Sequence, residues 1–278
     1  MLANQSLTDV LDAFSSSDPT PGGGSAAALC GALGASLLAM VAGLPKTKTN
    51  TPEERTSLDA ARAKILALRS RLVDLIDRDA ASYDAVVAAY RLPKSTDAEK
   101  STRTAAIQAA LKLATEVPLD TMLVCGDVFD EAVAVAEGSN PSARSDIAVG
   151  VQTLVTAIQS ALLNVETNIG SITDQAFVAD VSARIRNSSA MKSEAMLKVY
   201  KSAGIFEMFR QATKRAGVEH GQPPEGADAP KALWMQSAVE LLRRVASPDA
   251  RRALEALATS EDEATARFAN NALAKAST

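Results

Sequence analysis

Residues 18–46, DPTPGGGSAAALCGALGASLLAMVAGLPK, constrain the fold more than any other stretch. Two prolines and three glycines lead into a run from Ser25 to Leu44 without one charged side chain. As a helix that run is long enough to cross a bilayer. It is built mostly from Ala, Gly and Ser, however, and holds little of the Leu, Ile and Phe that make insertion favourable. A buried helix in a soluble protein is therefore expected, not a membrane span. A secretion signal needs a basic segment ahead of its apolar core, and residues 1–45 contain no Lys or Arg, while Asp9, Asp12 and Asp18 precede the run. Two nucleotide motifs also fail. GGGSAA fits G-x-G-x-x-A, but FSSSDPTP ahead of it is no strand, and no Gly-Lys-Ser/Thr closes a phosphate loop.

What remains is a glycine-rich entry into a helix. Ser25 is the expected N-cap, leaving backbone N–H groups at the helix start that favour an anion or the polar edge of a ligand. Behind it, Ala27, Gly31, Gly34, Ala35 and Ala39 form a small-residue face. Such a face admits a second backbone or a flat ligand, and the sequence leaves both open.

Composition narrows the chemistry. The net charge of −4 and an aromatic content of 4% give neither a basic face nor stacking platforms, so no nucleic-acid partner is expected. Cys30 and Cys125 lie far apart in apolar surroundings, which fits a reducing cytoplasm better than a disulfide framework. The only histidine, His220, sits in a Gly/Pro-rich segment, removing most routes to a zinc site or a Ser-His-Asp triad. No metal site is expected, and catalysis has to run on carboxylates, amides, hydroxyls, lysines or backbone groups.

Apolar residues recur at three- and four-residue spacings with no sustained alternation, so an all-α fold of long helices is expected. Helices are expected near 6–14, 25–44, 53–91, 98–115, 118–137, 143–172, 174–186 and 190–216. Breaks fall at LPKTKTNTP, RLPKST, EVP and EGSNPSA. Residues 1–216 form the main helical domain and 217–230, GVEHGQPPEGADAP, a linker. Residues 231–278 resemble a short HEAT-like helical tail, which cannot bury both its faces alone. The tail is expected to dock on the main domain or on a protein partner.

Two helices place polar groups where a core should be. In LVDLIDRDAASYDAVVAAYRLPK an apolar stripe runs through Ile65, Leu72, Ile76, Tyr83, Val86 and Tyr90, and Asp79 occupies the seventh-residue position between Leu72 and Val86. A carboxylate there needs a partner. It is either a satisfied ion pair or cap, or an acid/base group held in a low-dielectric pocket. Asp74, Asp77 and Asp84 point outward on the same pattern. In SARSDIAVGVQTLVTAIQSALLNVETNIGSITD, Ile147, Val151, Leu154, Ile158, Ala161 and Val165 form the apolar stripe. Beside it run Asp146, Gly150, Thr153, Ala157, Ser160, Asn164 and Asn168. Asn164 and Asn168, one turn apart, can present paired amides to a heterocycle or hydrogen-bond to another helix.

These segments, with AIQAALKLATEVPLDTM between them, occur in the order found in the cyclodeaminase/cyclohydrolase family. Over about residues 5–190 the chain resembles the C-terminal domain of formimidoyltransferase-cyclodeaminases and the stand-alone methenyltetrahydrofolate cyclohydrolases. The Pro-Thr-Pro-Gly-Gly-Gly-Ser motif carries most of the specificity. The loop GSNPSARSD departs from the family's GN-x-N-x-x-SD, keeping Asp146 while altering the surroundings of Asn140.

The resemblance implies a homodimeric, cytoplasmic all-α enzyme acting on a tetrahydrofolate derivative as substrate, with no tightly bound cofactor. The glycine turn, Gly22, Gly23 and Gly24, with Ser25, would line the folate pocket with Asn164 and Asn168. Asp79 would serve as acid/base, and Asp146 as a second carboxylate for proton transfer or pterin recognition. Lys94 would meet a glutamate-tail carboxylate, with Lys46 and Lys48 as further candidates. No transferase domain stands ahead of residue 1, so hydrolysis of 5,10-methenyltetrahydrofolate to the 10-formyl form is expected. The alternatives are the formimidoyltetrahydrofolate cyclodeaminase reaction, which releases ammonia, and a non-enzymatic helical interaction protein.

Overall fold

The computed structural model describes residues 1–45 and 51–205 and the isolated positions 255, 258, 259, 270, 273 and 274; nothing is said of side chains at 189–194 and 197. Every regular element among the described residues is helical. After a 3₁₀ turn at Leu2–Asn4 come α1 (Leu7–Ser15), α2 (Gly23–Gly43), α3 (Pro52–Tyr90) and α4 (Asp97–Gly138). A second 3₁₀ turn at Pro141–Ala143 leads into α5 (Arg144–Ile169), and α6 (Gln175–Ser202) follows. The all-α expectation holds. The linker at 217–230, His220, Lys46 and Lys48 lie outside the described residues, as does the expected boundary at 216. Of the tail at 231–278 only isolated positions are described.

The chain divides into two compact units, Met1–Arg184 and Ile185–Thr278. In the second, Val199, Tyr200, Ala203 and Ile205 are buried, and Gly204 takes a positive φ of 65° just past the end of α6. A left-handed residue at that point is the usual helix stop, and glycine adopts it without strain.

In the first unit, helix starts follow local chemistry. Thr51 and Thr96 each accept a hydrogen bond from the backbone N–H three residues on, while Glu54 and Glu99 reach back to the cap. These are the T-x-x-E capping boxes that the sequence spells. Ser6 caps α1 in the same way, and Asp174 caps α6 through the N–H groups of Ala176 and Phe177.

Four long helices, α2 to α5, run alternately up and down, the connectivity expected of short loops between bundle helices. The registers are clear from their contacts. Along α2 and α3, Gly24 lies against Asp79, Gly31 against Leu72 and Gly43 against Arg62. Along α2 and α5, Gly23 lies against Asn164 and Gly34 against Gly150 and Leu154. The start of α2 therefore shares one end of the bundle with the later part of α3 and the end of α5. At the opposite end, Arg55 donates to the Ala42 carbonyl at 2.6 Å and Asn140 to the Pro45 carbonyl at 3.2 Å.

Helix α2 is the central element, with Ala28, Ala35, Leu38, Val41 and Ala42 fully buried. More than half of its most apolar window is packed inside the protein. It and Pro141–Ile169 are long and apolar enough to cross a membrane by length and composition. Small residues bring α2 and α5 together: a Cβ on Gly34 would stand 2.7 Å from the Gly150 carbonyl oxygen.

Three boundary expectations are corrected. Helix α2 begins at Gly23 behind an N-cap at Gly22, so Ser25 is inside the first turn and is not the cap. The break expected at EVP is absent, because α4 runs through Pro118. Proline removes one helical N–H and leaves the Ala114 carbonyl without its usual donor. The side-chain amide of Asn168 supplies it, 2.6 Å away, from α5. The break expected near 187 is also absent, since α6 is continuous to Ser202.

Candidate active site

The end of the bundle that holds the start of α2 gathers most of the residues singled out from the sequence. Asp79 comes in from α3, one turn beyond the buried Leu75 and Ile76. Its carboxylate rests on the backbone of Gly24 so closely that a methyl group there would overlap it. Here glycine is required by close approach and not by backbone angle. The hydroxyl of Ser25, fully buried, lies 3.0 Å from Asp79 Oδ2 and 2.9 Å from the Ile76 carbonyl oxygen. The Ser25 backbone N–H also donates to Asp79. Ser82, buried as well, donates to the Asp79 carbonyl at 2.8 Å and fixes the turn behind it.

Burial pushes the Asp79 carboxyl above the usual carboxylate range, and the two hydrogen bonds from Ser25 pull part of the way back. Desolvation disfavours the charged form, while donors aimed at the carboxylate favour it. Asp79 is thus a half-buried acid whose proton is held more tightly than on a surface aspartate. It is not the ion pair that the sequence also allowed, but it does cap the neighbouring helix, since the Ser25 N–H lies in the first turn of α2 and has no acceptor within that helix.

Asn164 completes the local surface. Its amide lies against Gly23, with Nδ2 3.3 Å from the position a Cβ there would take, and it donates to the Ser160 carbonyl in its own helix at 2.8 Å. Beside this cluster the loop ahead of α2 runs along the last turns of α3. Between them lies an open cleft of about 360 Å³ lined by Asp18, Pro19, Thr20, Asp84, Val87, Ala88 and Arg91. Arg91 stands about 18 Å beyond Asp79 at 1.5 Å of rise per residue along α3.

The structure does not bring Asp146 to this cluster. It lies in the first turn of α5, and the antiparallel register sets it beside the far end of α2, about 25 Å along the bundle from Asp79. The stripe on α5 was read correctly as one face, but a face does not say which end of the bundle a residue occupies. Asn168 is on the right end but serves a structural carbonyl, so the pair of amides reduces to Asn164. Lys94 is exposed in the α3–α4 turn and lines no part of the cleft.

Other expectations shift in detail. Tyr83 and Tyr90, read as part of the inward stripe of α3, are 43% and 50% exposed. Asp77, read as an outward charge, accepts hydrogen bonds from the N–H groups of Leu2 and Ala3 at 2.6 and 3.4 Å. Sequence reasoning missed Arg91, Thr20 and Asp18. Their signal was present, since DPTP directly precedes the glycines and Arg91 precedes LPK. No grouping of three His, Cys, Asp or Glu side chains that could hold a metal ion occurs among the described residues.

Comparison with known proteins bears on the family and the fold. The family model of formiminotransferase-cyclodeaminase matches residues 6–187. A methenyltetrahydrofolate cyclohydrolase of Methylorubrum extorquens is 42% identical over 195 residues, covering 70% of this chain and 92% of that protein. A formimidoyltransferase-cyclodeaminase of Sus scrofa is 32% identical over 184 residues, 66% of this chain but only 34% of that protein. The crystal structure of a formiminotetrahydrofolate cyclodeaminase from Thermotoga maritima superposes with a TM-score of 0.66 at 25% identity, covering 73% of this chain and 98% of that one.

Proposed function

The chain belongs to the formiminotransferase-cyclodeaminase family, and on that premise we propose that it is a methenyltetrahydrofolate cyclohydrolase. It is a folate-dependent one-carbon enzyme that hydrolyses 5,10-methenyltetrahydrofolate to 10-formyltetrahydrofolate. One observation carries the choice of reaction: the 42% identity to the Methylorubrum extorquens cyclohydrolase over nearly all of that protein's length.

The substrate presents a cationic amidine carbon between N5 and N10. Hydrolysis forms a bond from water oxygen to that carbon and breaks its bond to N5; of water's two protons, one passes to N5 and the other, lost as water attacks, is released. Asp79 is assigned as the general base that takes this proton. Its neighbouring Gly22, Gly23 and Gly24 line the approach, and the half-buried setting of the carboxylate supports the role. A base whose pKa is raised by burial accepts a proton more readily, and its negative charge also stabilises a cation bound beside it. Asn164 is assigned to the edge of the heterocycle. Arg91, in the cleft, is better placed than Lys94 for the substrate's anionic tail. The tetrahydrofolate derivative enters as substrate, with no tightly bound cofactor.

The Thermotoga maritima likeness favours a second reaction, closure of 5-formimidoyltetrahydrofolate with loss of ammonia. There N10 attacks the formimidoyl carbon and the leaving nitrogen takes up protons, so the same carboxylate can serve. Purified protein assayed with both folates decides between them. Loss of methenyl absorbance faster than in buffer, with no ammonia from the formimidoyl substrate, is the expected outcome. The reverse pattern assigns the deaminase, and inactivity on both rejects the proposal.

The enzyme is further proposed to be a cytoplasmic homodimer. Its free thiols, Cys30 and Cys125, fit a reducing compartment. Leu33, Met40, Val149 and Leu163 leave an exposed apolar surface on the neighbouring helices α2 and α5, which suits a second copy. Light scattering at micromolar concentration is expected to return twice the 29.0 kDa chain mass.

A further inference from the structure

Ser25 belongs to the most recognisable motif of the chain, and its natural reading is a ligand for substrate. The geometry assigns it elsewhere. Its side chain is fully buried, with Oγ between two acceptors, the Ile76 carbonyl at 2.9 Å and Asp79 Oδ2 at 3.0 Å. A hydroxyl has one proton to donate and lone pairs to accept. It therefore cannot donate to both oxygens at once, and the two arrangements differ in the charge they suit.

When Asp79 is ionised, the Ser25 hydroxyl donates to the carboxylate. When Asp79 is protonated, the hydroxyl turns to the Ile76 carbonyl and accepts the hydrogen bond that the neutral acid now donates. Every polar atom stays paired in both states, which matters in a site where an unpaired one is costly. Gly24 lets the carboxylate sit this close, and Ser82 fixes the turn that carries it.

We propose that Ser25 is a positioning residue for Asp79, rotating its hydroxyl between Ile76 and the carboxylate as the acid gains and loses its proton, and that it does not bind substrate. The inference rests on Asp79 being the base named above. Charged groups do not supply this control. Helix α2 carries no Asp, Glu, Lys or Arg between Gly23 and Gly43. On α3, Asp77 is engaged by Leu2 and Ala3, Arg78 lies 3.9 Å from Asp120, and Asp84 lines the cleft with Asp18 and Arg91. On α4, Glu116 and Asp120 face Arg184. On α5, the residue against the start of α2 is the uncharged Asn164, and Glu166 at the same end is exposed. None of these charges enters the displacement of Asp79's titration, whose causes are burial and Ser25.

The test is a ¹³C-carboxyl NMR titration of Asp79 in the whole, unliganded protein, with Asp79→Asn assigning the signal. Removing the hydroxyl in Ser25→Ala is expected to move the Asp79 midpoint upward. The backbone N–H remains, so the shift removes only part of Ser25's effect. Ser25→Thr keeps the hydroxyl and is expected to return the midpoint toward wild type. Ser25→Cys, nearest in shape and a weak donor, is expected to move it upward and stands in if the alanine variant does not fold. In turnover, the acidic limb of the kcat/KM profile moves up with the NMR midpoint, while KM well above it is unchanged. An unmoved midpoint in folded Ser25→Ala or Ser25→Cys overturns the proposal. So does a raised KM at every pH with an unmoved profile, the signature of a substrate ligand. The NMR arm needs no turnover. If wild-type protein fails to hydrolyse methenyltetrahydrofolate, the assigned reaction falls while the Ser25 result still stands or fails by itself.

Discussion

The start and the middle of α2 use the same small residues for opposite purposes. At the start, Gly24 is small because a side-chain carboxylate from α3 occupies the space. Ten residues on, Gly34 is small because the backbone of α5 does, with the Gly150 carbonyl oxygen 2.7 Å from where a Cβ would stand. A carboxylate is the movable tip of a side chain, whereas a carbonyl inside a helix is fixed by the whole element. The start therefore trades in positioning, the middle in stability. Composition cannot separate them, since both read as glycine in an uncharged helix.

The sharpest way to break this contrast is at Asp79. Asp79→Asn is expected to lower kcat for methenyltetrahydrofolate hydrolysis by roughly 10²- to 10⁴-fold, the usual worth of a general base; near-normal turnover would remove Asp79 from that role. The same variant is expected to be more thermostable at neutral pH. Because the folded-state pKa is raised, the stability linked to Asp79 is fully present below the unfolded carboxyl value of about 3.9. It is lost as pH rises through the folded one. The gain in Tm should therefore fade as pH falls through the folded-state value and be gone below the unfolded one, which calorimetry across pH can follow.

Gly24→Ala and Gly34→Ala form a crossed pair. The first displaces a carboxylate and is expected to cost on the order of 10²-fold in kcat/KM, as misplacing a reacting group by an ångström does, with little change in melting. The second meets backbone and is expected to cost about 1–3 kcal/mol of stability, the typical penalty of overpacking, with kcat/KM retained by the folded protein. Equal effects of the two on both readouts would erase the distinction. Asn168→Ala, on the same end as Asp79 but engaged with Ala114, is expected to behave like Gly34→Ala. Leaving the Ala114 carbonyl unpaired costs about 1–3 kcal/mol by denaturant unfolding, and KM should not change. Smallest is Thr96→Ala, away from both ends of α2, at about 1 kcal/mol for a lost helix cap and no effect on catalysis.

Much of this was legible before any coordinates. The starts of α3 and α4 follow from their T-x-x-E boxes, and the inward placement of Asp79 from its seventh-residue spacing with Leu72. These signals are local, and local signals survive folding. What failed was long-range. Ser25 looked like a cap because the sequence cannot say that its hydroxyl is claimed by Ile76 and Asp79, more than fifty residues on. Asp146 shared a stripe with Asn164, yet a stripe fixes direction around an axis and not position along it. Pro118 looked like a helix end because its rescue comes from another helix.

That rescue couples two distant codons. While position 118 is proline, the amide at 168 has a fixed task, and drift there is penalised whatever substrate the enzyme meets. Were residue 118 replaced by alanine, the N–H it regains would serve Ala114, and position 168 would become free to vary. The pair is thus expected to show epistasis, each substitution altering the fitness of the other, and the order in which they arise would decide which is tolerated.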